Sequence, residues 1–166
     1  MESIYTKLNK KEHFAPVHVL LYTLPGIPSI YYGSEFAIEG RKERGSDASL
    51  RPALNLSDFT SSYGENEATK LICRLGEIRQ QTKVLSYGAY RELVLTNRQY
   101  AFAREKDGEV AIVTVNNDDK EAALRVPCGR DGKFKGAVSG KEAAAENGAL
   151  CVNIEANSGE IWLPEA

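Results

Sequence analysis

The sequence has no long hydrophobic run and almost no excess of charge. Its longest apolar stretch, residues 17–24, is interrupted by polar side chains and is far shorter than the ~20 residues that span a bilayer. The formal net charge of the 166 residues is −2, and only Arg41, Lys42 and Arg44 bring basic side chains close together. Binding to phosphates needs a basic surface. The sequence therefore predicts no membrane and no nucleic acid as partners.

Cysteines are few, and they are widely separated. Cys73, Cys128 and Cys151 form none of the CxxC pairs that zinc and redox sites use. His13 and His18 lie five residues apart rather than the four that place two ligands on one helix face. No cofactor or metal site is evident from these residues. We expect three reduced, mostly buried cysteines, which are typical of a reducing compartment such as the cytoplasm.

Two segments have the spacing of amphipathic helices. The first is residues 11–23, with Pro16 acceptable only in the first turn and a stop at Pro25 and Gly26. Its predicted apolar side consists of Phe14, Val17, Leu20 and Leu21. The second is residues 67–81, whose predicted apolar stripe consists of Leu71, Ile72, Leu75 and Ile78.

Between these helices the sequence changes character twice. Residues 27–32 are continuously apolar and rich in β-branched and aromatic types, which is typical of a strand covered on both faces, as in a parallel sheet. Residues 34–66 form a long, charged and irregular stretch. Loops of that length are usually functional or disordered.

From about residue 84 the pattern predicts an all-β region. Short strand-like runs separated by Asn, Asp and Gly turns indicate a β-sandwich or barrel. The predicted strands are residues 90–95, 99–104, 110–116, 122–127, 134–139, 149–154 and 160–163. The only tryptophan, Trp162, is predicted to fill the core rather than to stack on a sugar. We place a domain boundary near Lys83, which divides the chain into residues 1–83 and 84–166.

The string TLPGIPSIYYGSE at residues 23–35 resembles the segment from the seventh helix to the eighth strand in glycoside hydrolase family 13, the α-amylase family. Residues 45–52 are similar to the loop after the eighth strand in neopullulanases and cyclomaltodextrinases. Residues 72–81 look like the eighth helix, and 84–88 look like the lead into the C-terminal β-domain. The resemblance implies an α+β fragment: the last βα part of a (β/α)₈ barrel, followed by an all-β, Greek-key-like C-terminal sandwich.

The resemblance also implies a substrate-binding loop. In related enzymes an acid and an arginine of this loop contact glucose units, which assigns those roles to Asp47 and Arg51. Tyr32 would offer an aromatic surface and Glu35 a further carboxylate, and the ligand would be an α-glucan or maltooligosaccharide. An internal Asp47–Arg51 ion pair that shapes the loop is an alternative, and both readings can hold.

The expected catalytic groups are absent from the chain. Retaining glycosidases need two carboxyl groups about 5 Å apart, and the family takes them from strands that would lie upstream of the first residue. We expect no catalytic residue here, and an inactive chain that depends on the remainder of a parent barrel. The alternative is a self-sufficient carbohydrate-binding or interaction module. An unpaired strand at residues 27–32 would expose its edges, which predicts a possible homo-oligomer through that strand.

Overall fold

The helices come first in the chain and the strands follow. The computed structural model describes residues 2–165. No helix within that range is both long and apolar enough to cross a membrane. The helices are α1 (Ile4–Lys7), α2 (Phe14–Thr23), α3 (Ser62–Glu65), α4 (Glu67–Gln81) and α5 (Lys83–Tyr87), with 3₁₀ turns at Lys11–His13, Ser34–Phe36, Ala48–Leu50 and Leu56–Phe59.

Helix α2 ends where the sequence predicts, but its buried side differs from the prediction. Val17 and Leu20 are only half-buried, whereas the fully enclosed residues include His18 and Val19. The helix is apolar around most of its circumference, so its periodicity does not single out one side. Packing between α4 and the sheet selects the buried residues instead.

Helix α4 spans residues 67–81, so its predicted bounds are confirmed. Asn66 caps its first turn, because the Asn66 side-chain oxygen accepts hydrogen bonds from the backbone N–H groups of Ala68 at 2.9 Å and Thr69 at 3.2 Å. Within the predicted stripe, Ile72, Leu75 and Ile78 are buried and Leu71 is half-buried. A capped helix with one apolar side is therefore specified locally as well as by packing.

Eight antiparallel strands form one continuous sheet. Their order is β1-β2-β3-β8-β5-β6-β7-β4, and β1 approaches β4, so the sheet is nearly closed. The strands are β1 (Ala89–Leu95), β2 (Gln99–Lys106), β3 (Glu109–Asn116), β4 (Ala122–Pro127), β5 (Gly132–Gly136), β6 (Glu142–Glu146), β7 (Ala149–Ile154) and β8 (Ser158–Pro164). The neighbours β8-β5-β6-β7 have the spatial order of a Greek key, as predicted.

The sheet has a hydrophobic core on each face. One core lies inside the curved sheet, and the other lies between the sheet and the helices. Alternation along β2 separates them: Phe102 faces the helices, while Ala101 and Ala103 face the interior of the sheet. The predicted sandwich is corrected in one respect, since both layers belong to a single hydrogen-bonded sheet. Helices and strands share the outer core, and the division into residues 1–83 and 84–166 stays a prediction.

The predicted strand at residues 27–32 does not form. The segment has no regular secondary structure and ends in a turn, with no strand partner, and Ile27 is 94% exposed. Pro28 has no N–H to donate, and no neighbouring strand lies in position to pair with this segment. The interpretation of residues 1–83 as the end of a barrel is therefore not confirmed by the fold. The possible homo-oligomer through this segment stays a prediction.

Candidate functional site

The charged loop after α2 is held against the N-terminal helix. Gly40 N–H donates to Thr6 Oγ1 at 2.9 Å and to Ser3 Oγ at 3.1 Å, while Ser3 N–H donates to the Gly40 carbonyl oxygen at 2.7 Å. A Cβ at Gly40 would lie 2.6 Å from the carbonyl oxygen of Ser49, so only glycine allows this approach. The loop is thus fixed at its middle.

Asp47 and Arg51 lie together, which agrees with the alternative of an internal ion pair that shapes the loop. Arg51 Nη2 is 3.9 Å from Asp47 Oδ2, and Lys42 Nζ is 2.9 Å from Asp47 Oδ1. Hydrogen bonding and charge from Lys42, followed by the charge of Arg51, lower the pKa of Asp47. Asp47 therefore stays ionised and is suited to accept hydrogen bonds rather than to donate a proton.

Two tyrosines complete this cluster on its exposed side. Arg51 Nε donates to Tyr31 Oη at 2.9 Å, and Tyr32 Oη donates to the carbonyl oxygen of Pro52 at 2.7 Å. Both tyrosine residues are 46% exposed. Because their hydroxyl groups are bonded to the loop, the rings have fixed positions and leave aromatic surface open to a ligand.

Glu35 is less closely connected to this cluster. It lies in the 3₁₀ turn Ser34–Phe36, and its backbone oxygen accepts a hydrogen bond from Thr69 Oγ1 at 2.6 Å. Its carboxylate forms no hydrogen bond or ion pair with another residue in the range 2–165. The structure thus joins Asp47, Arg51 and Tyr32 around one loop and leaves Glu35 apart. Their substrate-binding roles stay predictions.

Two arginines that the sequence did not single out bind the end of α2, where the loop starts. Arg104 Nη1 donates to the carbonyl oxygen of Thr23 at 2.6 Å, and Arg79 Nη2 donates to that of Gly26 at 2.7 Å. Both arginines are distant in sequence from the helix end that they contact. No local pattern marks them, and the same holds for Lys42.

Other predicted residues have structural positions. Trp162 is buried and its Nε1–H donates to Thr114 Oγ1 at 2.9 Å, so the core prediction is confirmed. All three cysteines are free, but only Cys128 is buried. The expectation of mostly buried cysteines is therefore wrong, because Cys151 occupies an outward-facing position of β7.

The chain is similar in sequence to enzymes named as alpha-amylases and cyclomaltodextrinases. No protein-family model matches the chain. It is 28% identical over 151 residues to alpha-amylase 1 of Schwanniomyces occidentalis, which covers 85% of this chain and 28% of that protein. It is 30% identical over 128 residues to a cyclomaltodextrinase of Thermoanaerobacter pseudethanolicus, covering 75% of this chain and 19% of that protein.

Solved structures show the same likeness. The fold matches an alpha-amylase from Geobacillus thermoleovorans, complexed with acarbose, with a TM-score of 0.78 at 18% identity, over 94% of this chain and 33% of that one. It matches the cyclomaltodextrin glucanotransferase CldA with a TM-score of 0.77 at 24% identity. This match covers 95% of this chain and 33% of that one. The chain spans a third or less of the length of each of these proteins.

Proposed function

Because the chain belongs to glycoside hydrolase family 13, the α-amylase family, and matches the C-terminal region of its members, we propose that it is the corresponding region of an enzyme acting on α-glucans. Its loop contributes substrate contacts, and its β-rich part stabilises the catalytic region. The parent chemistry would be that of a retaining glycoside hydrolase, and the chain alone would be inactive.

The observation that supports this proposal best is the cluster of Asp47, Arg51 and the two tyrosines. Sugar hydroxyl groups are recognised by carboxylates and planar multi-donor groups, and sugar rings pack on aromatic faces. The cluster offers all three within one loop, and its aromatic rings are half-exposed. When an oligosaccharide binds at this surface, some hydrogen bonds within the cluster would be replaced by hydrogen bonds to the sugar hydroxyl groups.

The chemistry of the loop also supports inactivity of the chain alone. A general acid in a glycosidase needs a raised pKa, so that it is protonated near neutral pH. The pKa of Asp47 is shifted in the opposite direction, below its ordinary range, by Lys42 and Arg51. A carboxylate of this kind suits binding rather than proton donation.

The remainder of the parent catalytic barrel is the proposed protein partner. Large apolar side chains project from the region between α2 and α4, including Ile27, Leu56 and Tyr63. Large apolar side chains in contact with water are candidates for burial against another protein. In the full-length parent we expect these side chains to be covered.

Two experiments test the proposal. The purified chain should release no reducing sugar from maltodextrin or pullulan at high concentration over a day. Release that survives repurification and is lost when one acidic residue of the loop is replaced would show that the chain is itself an enzyme. In an NMR titration with maltotriose, the amides of residues 47–51 should shift, and Arg51→Ala should abolish that shift while Arg44→Ala, in the same loop, should preserve it.

A further inference from the structure

A groove separates the N-terminal helices from the turn between β1 and β2. It has a volume of about 450 Å³, which lies within the roughly 300–1,000 Å³ typical of small-molecule sites. One wall comes from residues of the segment 7–20, and the other from residues 95–100 with the end of β3. We refer to it as the hairpin groove. It is built from other residues than the Asp47–Arg51 loop.

The apolar part of the hairpin groove consists of aliphatic side chains and one tyrosine ring. Val17 and Leu20 of α2 face Tyr100 across it, and Leu95 stands at its edge with 66% exposure. The Tyr100 hydroxyl is hydrogen-bonded to the Tyr90 hydroxyl. A ring held in this way presents a fixed apolar surface to a ligand.

The polar part of the groove has unused hydrogen-bonding capacity. Among the residues that the structure describes, the side chains of Asn9, Asn97, Arg98 and Asn117 bond to no protein group. No carboxylate lines the groove. These amides and this guanidinium group can therefore serve a ligand without breaking internal contacts, unlike Arg51, which is already bonded to Tyr31.

The turn that presents two of these side chains is fixed by its own hydrogen bonds. Thr96 Oγ1 accepts from Gln99 N–H at 2.8 Å and from Arg98 N–H at 3.2 Å. The Arg98 carbonyl oxygen accepts from Asn117 N–H at 2.7 Å. Ordering of the backbone on ligand binding would thus cost little entropy at this turn.

We propose that the hairpin groove binds a short segment of α-glucan. An oligosaccharide matches its chemistry, because planar amide and guanidinium groups and the Lys7 ammonium group can donate to hydroxyl oxygens beside an apolar floor. The choice of an α-glucan rests on the proposed function. The site would hold the polymer near the enzyme, in addition to the contacts made by the Asp47–Arg51 loop.

The test is a titration of the full chain with maltotriose, followed by backbone amide NMR. We expect the amides of residues 8–9 and 95–99 to shift. The double replacement Asn97→Ala with Arg98→Ala should weaken this binding about tenfold, because it removes a charged donor and an amide. Arg44→Ala is the matched control, an exposed arginine in another loop, and it should leave the affinity unchanged.

Several results would overturn the assignment. Unchanged affinity in the double variant would exclude the groove, as would equal binding of the β-linked cellotriose. Displacement of maltotriose by phosphate at low salt would identify an anion site instead. Groove shifts that persist in Arg51→Ala would support two separate sites. Shifts at residues 47–51 alone, lost in Arg51→Ala, would reject the groove and leave the proposed function standing.

Discussion

Arg104 and Thr23 are 81 residues apart in sequence and are joined by a hydrogen bond of 2.6 Å from the guanidinium group to the last carbonyl of α2. The same guanidinium group donates to the Gly88 carbonyl oxygen at 2.8 Å and 3.3 Å. Arg104 is only 2% exposed. Its positive charge at the C-terminal end of a helix is favoured by the helix dipole. Strand β2 therefore fixes the point from which the candidate loop starts.

Replacing Arg104 by methionine should lower the free energy of unfolding by about 2–4 kcal/mol. The substitution keeps much of the buried chain but leaves two carbonyl oxygens without their charged donor. Urea denaturation followed by circular dichroism measures the change. Arg125→Met, at an exposed position of β4, should change stability by less than about 0.5 kcal/mol. Equal effects of the two variants would contradict a special role for Arg104.

Gly159→Ala should destabilise the junction of α2 and β8 by about 1–3 kcal/mol. A Cβ at Gly159 would lie 2.9 Å from three side-chain carbons of Val19. Thermal unfolding of the variant measures the loss. In combination with Val19→Ala the two losses should be less than additive, because alanine lacks the two Cγ atoms that would meet the added methyl group.

Gly76→Ala is the control for Gly159→Ala, because the opposite change in stability is expected. Gly76 lies inside α4, and an added Cβ would meet only Tyr22 Cε1, at 4.0 Å. Alanine is favoured over glycine in a helix interior by about 0.5–1 kcal/mol, so this variant should be more stable than the parent chain. Destabilisation by both glycine substitutions to a similar extent would remove the basis for the Gly159 contact.

Trp162→Phe should cost about 1–3 kcal/mol, because it removes the bond to Thr114 and part of a buried side chain. The loss includes an unsatisfied Thr114 hydroxyl. The double variant with Thr114→Val should therefore be more stable than Trp162→Phe alone, as equilibrium unfolding would show. In the parent chain the buried indole should resist acrylamide quenching. Efficient quenching would contradict its position in the core.

Stability should fall as the pH drops below about 6.5, through protonation of His18. Burial lowers the pKa of His18 below its ordinary value of 6.5, against the opposing effect of the Phe14 carbonyl oxygen at 2.8 Å from Nδ1. The unfolded chain therefore binds the proton first, and stability is lost until the lower folded-state pKa is passed. His18→Gln should flatten this decline, measured by urea unfolding at pH 7 and pH 5. His13→Gln should retain it.

The elements that depend on local chemistry were predictable from the sequence. Asn66 before an apolar stripe specifies α4 through a cap and a periodicity, and both act within a few residues. Turn residues likewise separate most strands, because glycine and asparagine adopt backbone angles that other residues avoid. The internal ion pair of Asp47 and Arg51, which the sequence left as one of two alternatives, is present at 3.9 Å.

Two elements show where local reasoning fails. Residues 142–146, EAAAE, have high helix propensity, yet they form β6, because β5 and β7 offer backbone partners on either side. Residues 27–32 have strand-like composition, yet they form no strand, because no partner is present. Strand formation depends on a neighbour, which composition does not encode.

The family resemblance, the helix α4 and most of the strands follow from the order of the residues alone. Which face of α2 is buried, the closure of the strands into one sheet, and the contacts of Lys42, Tyr31 and Arg104 around the loop follow only from the packed fold. The two groups differ in the distance along the chain over which the interactions act. Caps, turns and periodicity act between near neighbours, whereas burial and long-range hydrogen bonds exist only after distant segments have packed together.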